Sequence, residues 1–544
     1  MAFSKYRQIV KLARKDSVRS VTVQATHQTN AWRRNPQEDL NCTGATSEGK
    51  GLVLGVYSSC QKSGGIGGRT SHIVLTNASV RYNNYVCDRL LDTLKTAGPL
   101  PKLGEARIFF NIEPSFPLLA LVGLGNPCYG FNRIEQRDEG KEAIRLAVGA
   151  GARALQELDV NKLYIESFGN TEAAAEGAAL SLWLYQDLKS KNQKIRIPHL
   201  GLYDDCDWTG WQIGLEKAAA QNLSRQMMET PSNLLTPTGF ALSAVESLTP
   251  VGVSVDVKVE EWAKENRMNA FLAVAKGSLE SPLFLELSYN GCDPCQPPVV
   301  LIGKGITFDS GGLCLKSNKD MVHMRGDMGG AACILATIRA VASLKLPLNV
   351  RGLTSSRENM PGASATKPGD IVRAMNDKSI LIGNTDFEGP LVLADALSYA
   401  QKYKPKFILD VGTFTSQVEF LMGAAATGVF TNDDRLWTSL KAASIHTGDR
   451  VWRLPLWETY QEQVTPGHVS VDLTNVPSSD HAYTAATAAF LHNFVCHYKW
   501  VHLDSYGVMI ESGQTTYLRK GMSGRPTRTL IEFLAQLACK PPEC

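Results

Sequence analysis

The chain has 544 residues, 44% of them apolar and 20% charged, with 56 basic against 53 acidic side chains and a formal net charge of +3. That length exceeds one ordinary core, so two domains are expected, and the near-balanced charge gives no electrostatic ground for nucleic acid or a membrane surface as partner. No apolar run approaches the roughly 20 residues a spanning helix needs.

Residues 1–34 stand apart. "MAFSKYRQIVKLARKDSVRS" carries six basic residues against one acid, Asp16, with Phe3, Tyr6, Ile9, Val10 and Ala13 at helical spacing, and Ser and Thr are frequent through Thr29. This composition predicts a mitochondrial transit segment; the alternative is a disordered basic tail on a cytoplasmic protein. From 35 to 205, strand-like runs ("LVLGVY", "RIFFNI", "LLALVGLG", "KLYIESFG") alternate with helical stretches ("EGKEAIRLAVGAGARALQEL", "EAAAEGAALSLWLYQDL"). Such alternation predicts an α/β domain with a largely parallel sheet. Nothing in it groups acids, His or Cys as a catalytic site does.

A long helix is predicted in "WQIGLEKAAAQNLSRQMMETPSN", ending at Pro231 and Asn233, and residues 206–235 read as the connector into a second domain, 236–544. There "VSVDVKV", "AFLAVAKG", "LFLELSYN", "PVVLIGKG", "LNVRGLTS" and "KFILDVGT" are expected strands, with helices in "GGAACILATIRAVASL" and "AYTAATAAFLHNFVCHY". Most of the twelve cysteines sit in apolar segments, as Cys314, Cys333 and Cys496 do, and read as small buried hydrophobes in a reducing compartment. Cys292 and Cys295 have CxxC spacing, but no second pair completes a zinc site, so a plain loop is expected.

The chemistry gathers in two stretches. In "PVVLIGKGITFDSGGLCLKSNKDMVHMRGDMGGAA" an apolar strand runs out into a Gly-rich loop holding Lys304, Asp309, Lys316 and Asp327. Open α/β sheets bind ligands beyond the carboxyl ends of their strands, which is where this loop falls. GxxxxGK[ST] is absent, and a phosphate cradle would not place Asp309 and Asp327 at its mouth. The second stretch, "NTDFEGPLVLADAL", sets Asp386 and Glu388 two apart, on one side of the chain if the backbone is extended. Four converging carboxylates would repel unless partly protonated. Two divalent cations would cancel them, hard oxygen donors suit Mn²⁺, Mg²⁺ or Zn²⁺, and Lys304 could join as a neutral amine. Taken singly, Asp309 and Asp386 read equally well as turn formers and Lys304 as a surface charge.

"GKGITFDSGG", "MRGDMGGAA", "ENMPGASATKPGD" and "NTDFEGPLVLADAL" closely resemble the leucine (cytosol) aminopeptidases, two-metal exopeptidases. "QNLSRQMMETPSNLLTPTGF", "DVGTFTSQ", "ATGVFTND", "VWRLPLWETY" and "YLRKGMSGRPTRTLIEFLAQL" follow in that family's order, so the likeness runs from about residue 50 to 540. The resemblance implies an α/β fold: a small N-terminal α/β domain, a long connecting helix, and a larger C-terminal catalytic domain with a central mixed sheet, assembled as a homo-hexamer. It implies two divalent metal ions per subunit (Mn²⁺ or Zn²⁺). Lys304, Asp309, Asp327 and Glu388 would hold the tighter ion, and Asp309, Asp386 and Glu388 the more exchangeable one. Lys316 takes the position of the catalytic lysine that steadies the oxyanion. The implied substrates are peptides with a free N-terminus, whose scissile carbonyl is attacked by a metal-activated water.

Two positions depart from the family signature Asn-Thr-Asp-Ala-Glu-Gly-Arg-Leu: Phe387 replaces the alanine and Pro390 the arginine. That arginine is thought to hold a bicarbonate that shuttles a proton, and Pro390 has neither charge nor donor. Nearby, Ser416 replaces a glycine and Phe414 a leucine. Two readings follow. One is an aminopeptidase with reduced or altered activity. The other is an impaired homologue kept as a structural hexamer, which resembles members abundant in sperm mitochondria. Arg357 and Arg373 are the nearest arginines in sequence to the altered signature.

Overall fold

The computed structural model describes residues 20–23, 49–58, 73–467, 470–479 and 481–539. The N-terminal sheet runs, in spatial order, Ala106–Glu113, Phe116–Gly123, Lys50–Tyr57, Lys162–Glu166 and His199–Tyr203, with Val74–Leu75 paired to Lys50–Tyr57. It is parallel except for those two antiparallel additions, Ala106–Glu113 and Val74–Leu75. Helices Glu139–Gln156 and Thr171–Leu182 cover one face. The second ends sooner than its apolar pattern predicts: Trp183 turns extended, and the Arg225 guanidinium lies 4.2 Å over its ring.

The connector is the helix Trp208–Glu229, started by Asp207 accepting from the Gly210 N–H. Its buried side welds the two domains. Lys217 is paired with Glu172 of the N-terminal domain and Glu532 of the C-terminal one. Beside it, Glu176 binds both Arg145 and Arg528, and Arg528 also donates to Gln221 at 2.6 Å. Buried ions hold only when paired in this way.

The C-terminal domain is built on a nine-stranded mixed sheet: Ser20–Val23, Ser254–Lys258, Leu283–Asn290, Asn349–Asn359, Val299–Asp309, Phe407–Gly412, Trp500–Asp504, Thr427–Thr431 and Val451–Arg453. Its centre, from Asn349–Asn359 to Trp500–Asp504, is parallel, so four carboxyl ends open on one side. Helices Pro237–Leu248, Gly329–Ser343, Asp434–Thr447 and Thr527–Cys539 cover one face, and Asn269–Ala275, Gly389–Ala400 and Tyr483–His492 the other. "AFLAVAKG", expected as a strand, is the helix Asn269–Ala275. Alanine favours helix, and Phe271 and Val274 fall on one buried side against Gly389–Ala400.

Ser20–Val23, inside the stretch read as a transit segment, pairs antiparallel with Ser254–Lys258 at the sheet edge; the remainder of 1–34 lies outside the described residues. The nine described cysteines are free. Among them only Cys333 is buried as expected; Cys314 is partly buried and six are exposed, including Cys496, which follows the end of its apolar helix at His492. No described helix is long and apolar enough to cross a membrane.

Candidate metal centre

Six side chains from four separate stretches meet where the parallel strands end. Lys304 and Asp309 lie on the strand Val299–Asp309, and Lys316 on the loop that follows. Asp327 caps a 3₁₀ turn before Gly329–Ser343. Asp386 and Glu388 stand just before Gly389–Ala400. The backbone at Asp386–Glu388 is not the extended run that the spacing allowed. Glu388 has φ −81° and ψ −22°, and the Phe387 N–H reaches the Asn384 carbonyl at 3.4 Å. A chain entering a helix must turn there, and the turn is pinned: Asn475 Nδ2 donates to the carbonyls of Asn384 and Phe387. Both carboxylates still face the centre.

Lys304 Nζ lies 2.8 Å from Asp327 Oδ1 and 2.8 Å from Glu388 Oε1, and donates to the Thr413 carbonyl at 2.6 Å. Lys316 Nζ lies 3.0 Å from Asp309 Oδ2 and 2.6 Å from Asp386 Oδ1. Asp309 Oδ1 accepts from the Gly311 N–H at 2.8 Å and from Asn359 Nδ2 at 2.7 Å. One oxygen each of Asp309, Asp386 and Glu388 lie within 4.8 Å of one another. Gly389 makes room for the Phe414 ring that lies beside the lysine: a Cβ there would stand 2.6 Å from Phe414 Cδ1.

The charges are strained by this crowding. Burial, with Asp309 adding its charge, pushes the Glu388 carboxyl up to about 8. Burial raises Asp327 to about 6 and lifts Asp386 as well. For Lys304 burial works against the charge, but Asp327, Glu388 and Asp309 hold its pKa above the ordinary lysine value. Lys316 is held up in the same way by Asp309, Glu388 and Asp386. Four carboxyl groups outnumber two ammonium groups, and among the described residues Asp327 Oδ2 is buried with no hydrogen-bond partner. An oxygen-rich set with an open buried acceptor fits divalent cations such as Mn²⁺, Mg²⁺ or Zn²⁺.

The departures take definite places. Pro390 is buried in the first turn of Gly389–Ala400, where a missing N–H costs the helix nothing. Phe387 turns away and stacks on Tyr483, ring centroids 5.0 Å apart and planes 12° apart. Ser416 is exposed at the start of Ser416–Met422, and the Phe414 ring lies beneath Lys304, 5.5 Å from Nζ. Neither neighbouring arginine joins the six. Arg373 is exposed and donates to the Asp377 carbonyl at 2.7 Å; Arg357 is fully buried with its guanidinium 3.5 Å from the Phe271 ring. Sequence reading missed Asn359 and Thr413, which hold Asp309 and Lys304. Both stand one step past or at the end of a parallel strand, which was the available signal.

The residues match two family models in succession along the chain: the N-terminal domain of the cytosol aminopeptidase family over 71–192, and that family's catalytic domain over 222–531. The chain belongs to the cytosol aminopeptidase family. It is 46% identical to the cytosol aminopeptidase of Xenopus tropicalis over 493 residues, covering 90% of this chain and 93% of the relative. It is also 46% identical to that of Homo sapiens over 492 residues, with the same two shares. Among solved structures, the bottromycin maturation enzyme BotP in complex with Mn superposes with a TM-score of 0.76 at 29% identity, covering 90% of this chain and all of BotP. Cytosol aminopeptidases thus supply the frame for reading the six side chains.

Proposed function

We propose that this chain releases N-terminal amino acids, of the leucine type, from peptides with a free N-terminus, using two divalent ions per subunit and with turnover lowered by Pro390. The observation that carries the reading is the convergence of Lys304, Asp309, Asp327, Asp386 and Glu388, with Lys316 beside them, at the sheet's carboxyl ends. The Mn-bound state of BotP supports Mn²⁺ as one occupant.

When bound, divalent ions supply Lewis acidity: they lower the pKa of water and polarise a carbonyl. This chain's residues do the rest. Lys304, Asp309, Asp327 and Glu388 would hold one ion, and Asp309, Asp386 and Glu388 the other. Lys304 must bind as the free amine, so loading there releases a proton. Lys316, beside Asp309 and Asp386, would lend positive charge where a substrate carbonyl oxygen gains negative charge during attack. The resemblance further supports a hexamer, and the basic, Ser/Thr-rich N-terminal segment supports a mitochondrial destination.

Bound metal per subunit and hydrolysis of a leucyl anilide with Mn²⁺ added test the reading together. Two ions and measurable turnover, both lost in Asp309→Asn, are expected. Two ions without turnover would leave the structural-hexamer reading; no ion bound would overturn the metal centre.

A further inference from the structure

One group of positive charges, away from the metal centre, has no counter-charge. Arg153 stands near the end of Glu139–Gln156, Arg225 on the connector Trp208–Glu229, and Arg519 between the short strands Ile510–Glu511 and Gly521–Met522. The N-terminal domain, the connector and the C-terminal domain thus give one arginine each. They gather where the helix Thr171–Leu182 stops. Arg225 Nη1 donates to the Leu180 carbonyl at 3.0 Å, and Arg519 Nε to the next carbonyl, Ser181, at 3.0 Å. Arg519 Nη2 also donates at 2.8 Å to Gln156 Oε1, one helical turn on from Arg153, and Gln156 Nε2 donates to the Leu182 carbonyl at 3.1 Å. Capping a helix end accounts for these bonds. It leaves other donors idle. Arg225 is 1% exposed and its Nε has no partner, and Arg153 Nε and Nη2 are buried without a partner among the described residues.

Among the described residues none of the three is ion-paired with an acid. Glu229 is taken by Arg325 Nη2 at 2.8 Å, and Glu511 Oε1 accepts from the Gly513 N–H at 3.1 Å. Arg145 and Arg528, buried at the same domain junction, differ in sharing Glu176. Burial, with the charge of Arg153 added, pushes Arg225 down to about 9; burial, with Arg519 added, pushes Arg153 down to about 10. Unpaired buried cations are costly, and a buried donor without a partner calls for a water or an ion. Guanidinium groups match oxyanions two bonds at a time. Three cations favour a dianion over a single carboxylate, and a phosphate group carries about two negative charges at neutral pH. We propose that Arg153, Arg225 and Arg519 form a phosphate-binding site at the junction of the two domains. The anion takes up the idle N–H groups, cancels the repulsion among the three, and ties the helix end at Leu180–Leu182 to both domains.

Phosphate titration of the full chain by calorimetry and thermal unfolding, at constant ionic strength in chloride, tests this on wild type and Arg153→Met. Wild type should bind phosphate, and its unfolding midpoint should climb with phosphate concentration. Arg153→Met should bind at least about tenfold more weakly. Without phosphate the variant should be no less stable than wild type, because a repelling charge is gone. Amide exchange of wild type alone gives a readout that needs no variant: exchange at 180–183 should slow as phosphate saturates. Repeating the titration with glycerol phosphate separates the sources: tighter binding of the ester assigns the site to a phosphorylated small molecule, tighter binding of the inorganic ion to free phosphate. Equal phosphate affinity in both proteins overturns the inference. So does a variant that is less stable by the same margin with and without phosphate, or exchange at 180–183 unmoved by millimolar phosphate in wild type.

Discussion

At the scale of single residues, Pro390 is proposed to lower turnover without touching the side chains that would hold metal. It occupies a first-turn position that proline suits, and none of the six centre side chains depends on it. Pro390→Arg should therefore leave metal content and thermal stability nearly unchanged while raising kcat on a leucyl anilide by about 10²-fold, the low end of what proton-transfer catalysis contributes; unchanged kcat would show that the proline is not what limits turnover. Glu166 offers a second residue-level test, far from the centre. Its carboxyl is buried behind Gly55 and Thr76, accepting from the Gly55 N–H at 3.1 Å and Thr76 Oγ1 at 2.8 Å, and burial pushes it up to about 7. A folded-state pKa above the unfolded value means the folded protein binds the extra proton, so stability declines as pH rises from about 4.5 through 7. Glu166→Gln keeps an acceptor without the charge. It should gain up to about 3 kcal/mol over wild type at pH 8 and almost nothing at pH 4, measured by urea unfolding at both.

At the scale of elements, the connecting helix does the electrical work of joining the domains. Lys217 is almost fully buried between Glu172 and Glu532, and His446 Nε2 lies 3.0 Å from Glu172 Oε1. Burial favours protonation of Glu172, but His446 and Lys217 hold its carboxyl below the ordinary range; for Glu532 burial is likewise outweighed by Lys217. Depressed carboxyl values contribute stability above the ordinary glutamate range that is lost as pH falls below it. Lys217→Met should cost about 3 kcal/mol at pH 7 by stranding two acids, and much less near pH 3, below the ordinary glutamate range, where the variant's carboxyls, no longer held down by the lysine, are neutral. Equal losses at both pH values in chemical unfolding would mean that packing, not charge, is what the lysine supplies. This cluster was illegible in the sequence because its members come from both domains. The centre was legible because its members lie in motifs of one domain, at strand ends that the apolar runs announce. Where periodicity misled, as in "AFLAVAKG", eight residues were too few to separate a buried strand from a buried helix.

At the scale of the whole molecule, the two α/β layers and the long helix follow from alternating apolar runs, and the strand order does not. Thr427–Thr431 inserts antiparallel beside Trp500–Asp504, and Ser20–Val23 crosses from the far N-terminus to the opposite edge. Pairings over such distances leave no local trace. The second of them bears on how the chain could be shortened. If everything before Lys50 were trimmed away, Ser254–Lys258 would become the outermost strand, its peptide groups on that flank bared to any other extended segment. The trimmed protein is expected to self-associate through that flank, as larger species in size-exclusion chromatography, and a proline placed at Val257 should suppress it. The N-terminal strand would thus be a built-in guard against sticking, and any processing cut beyond Val23 would discard that guard.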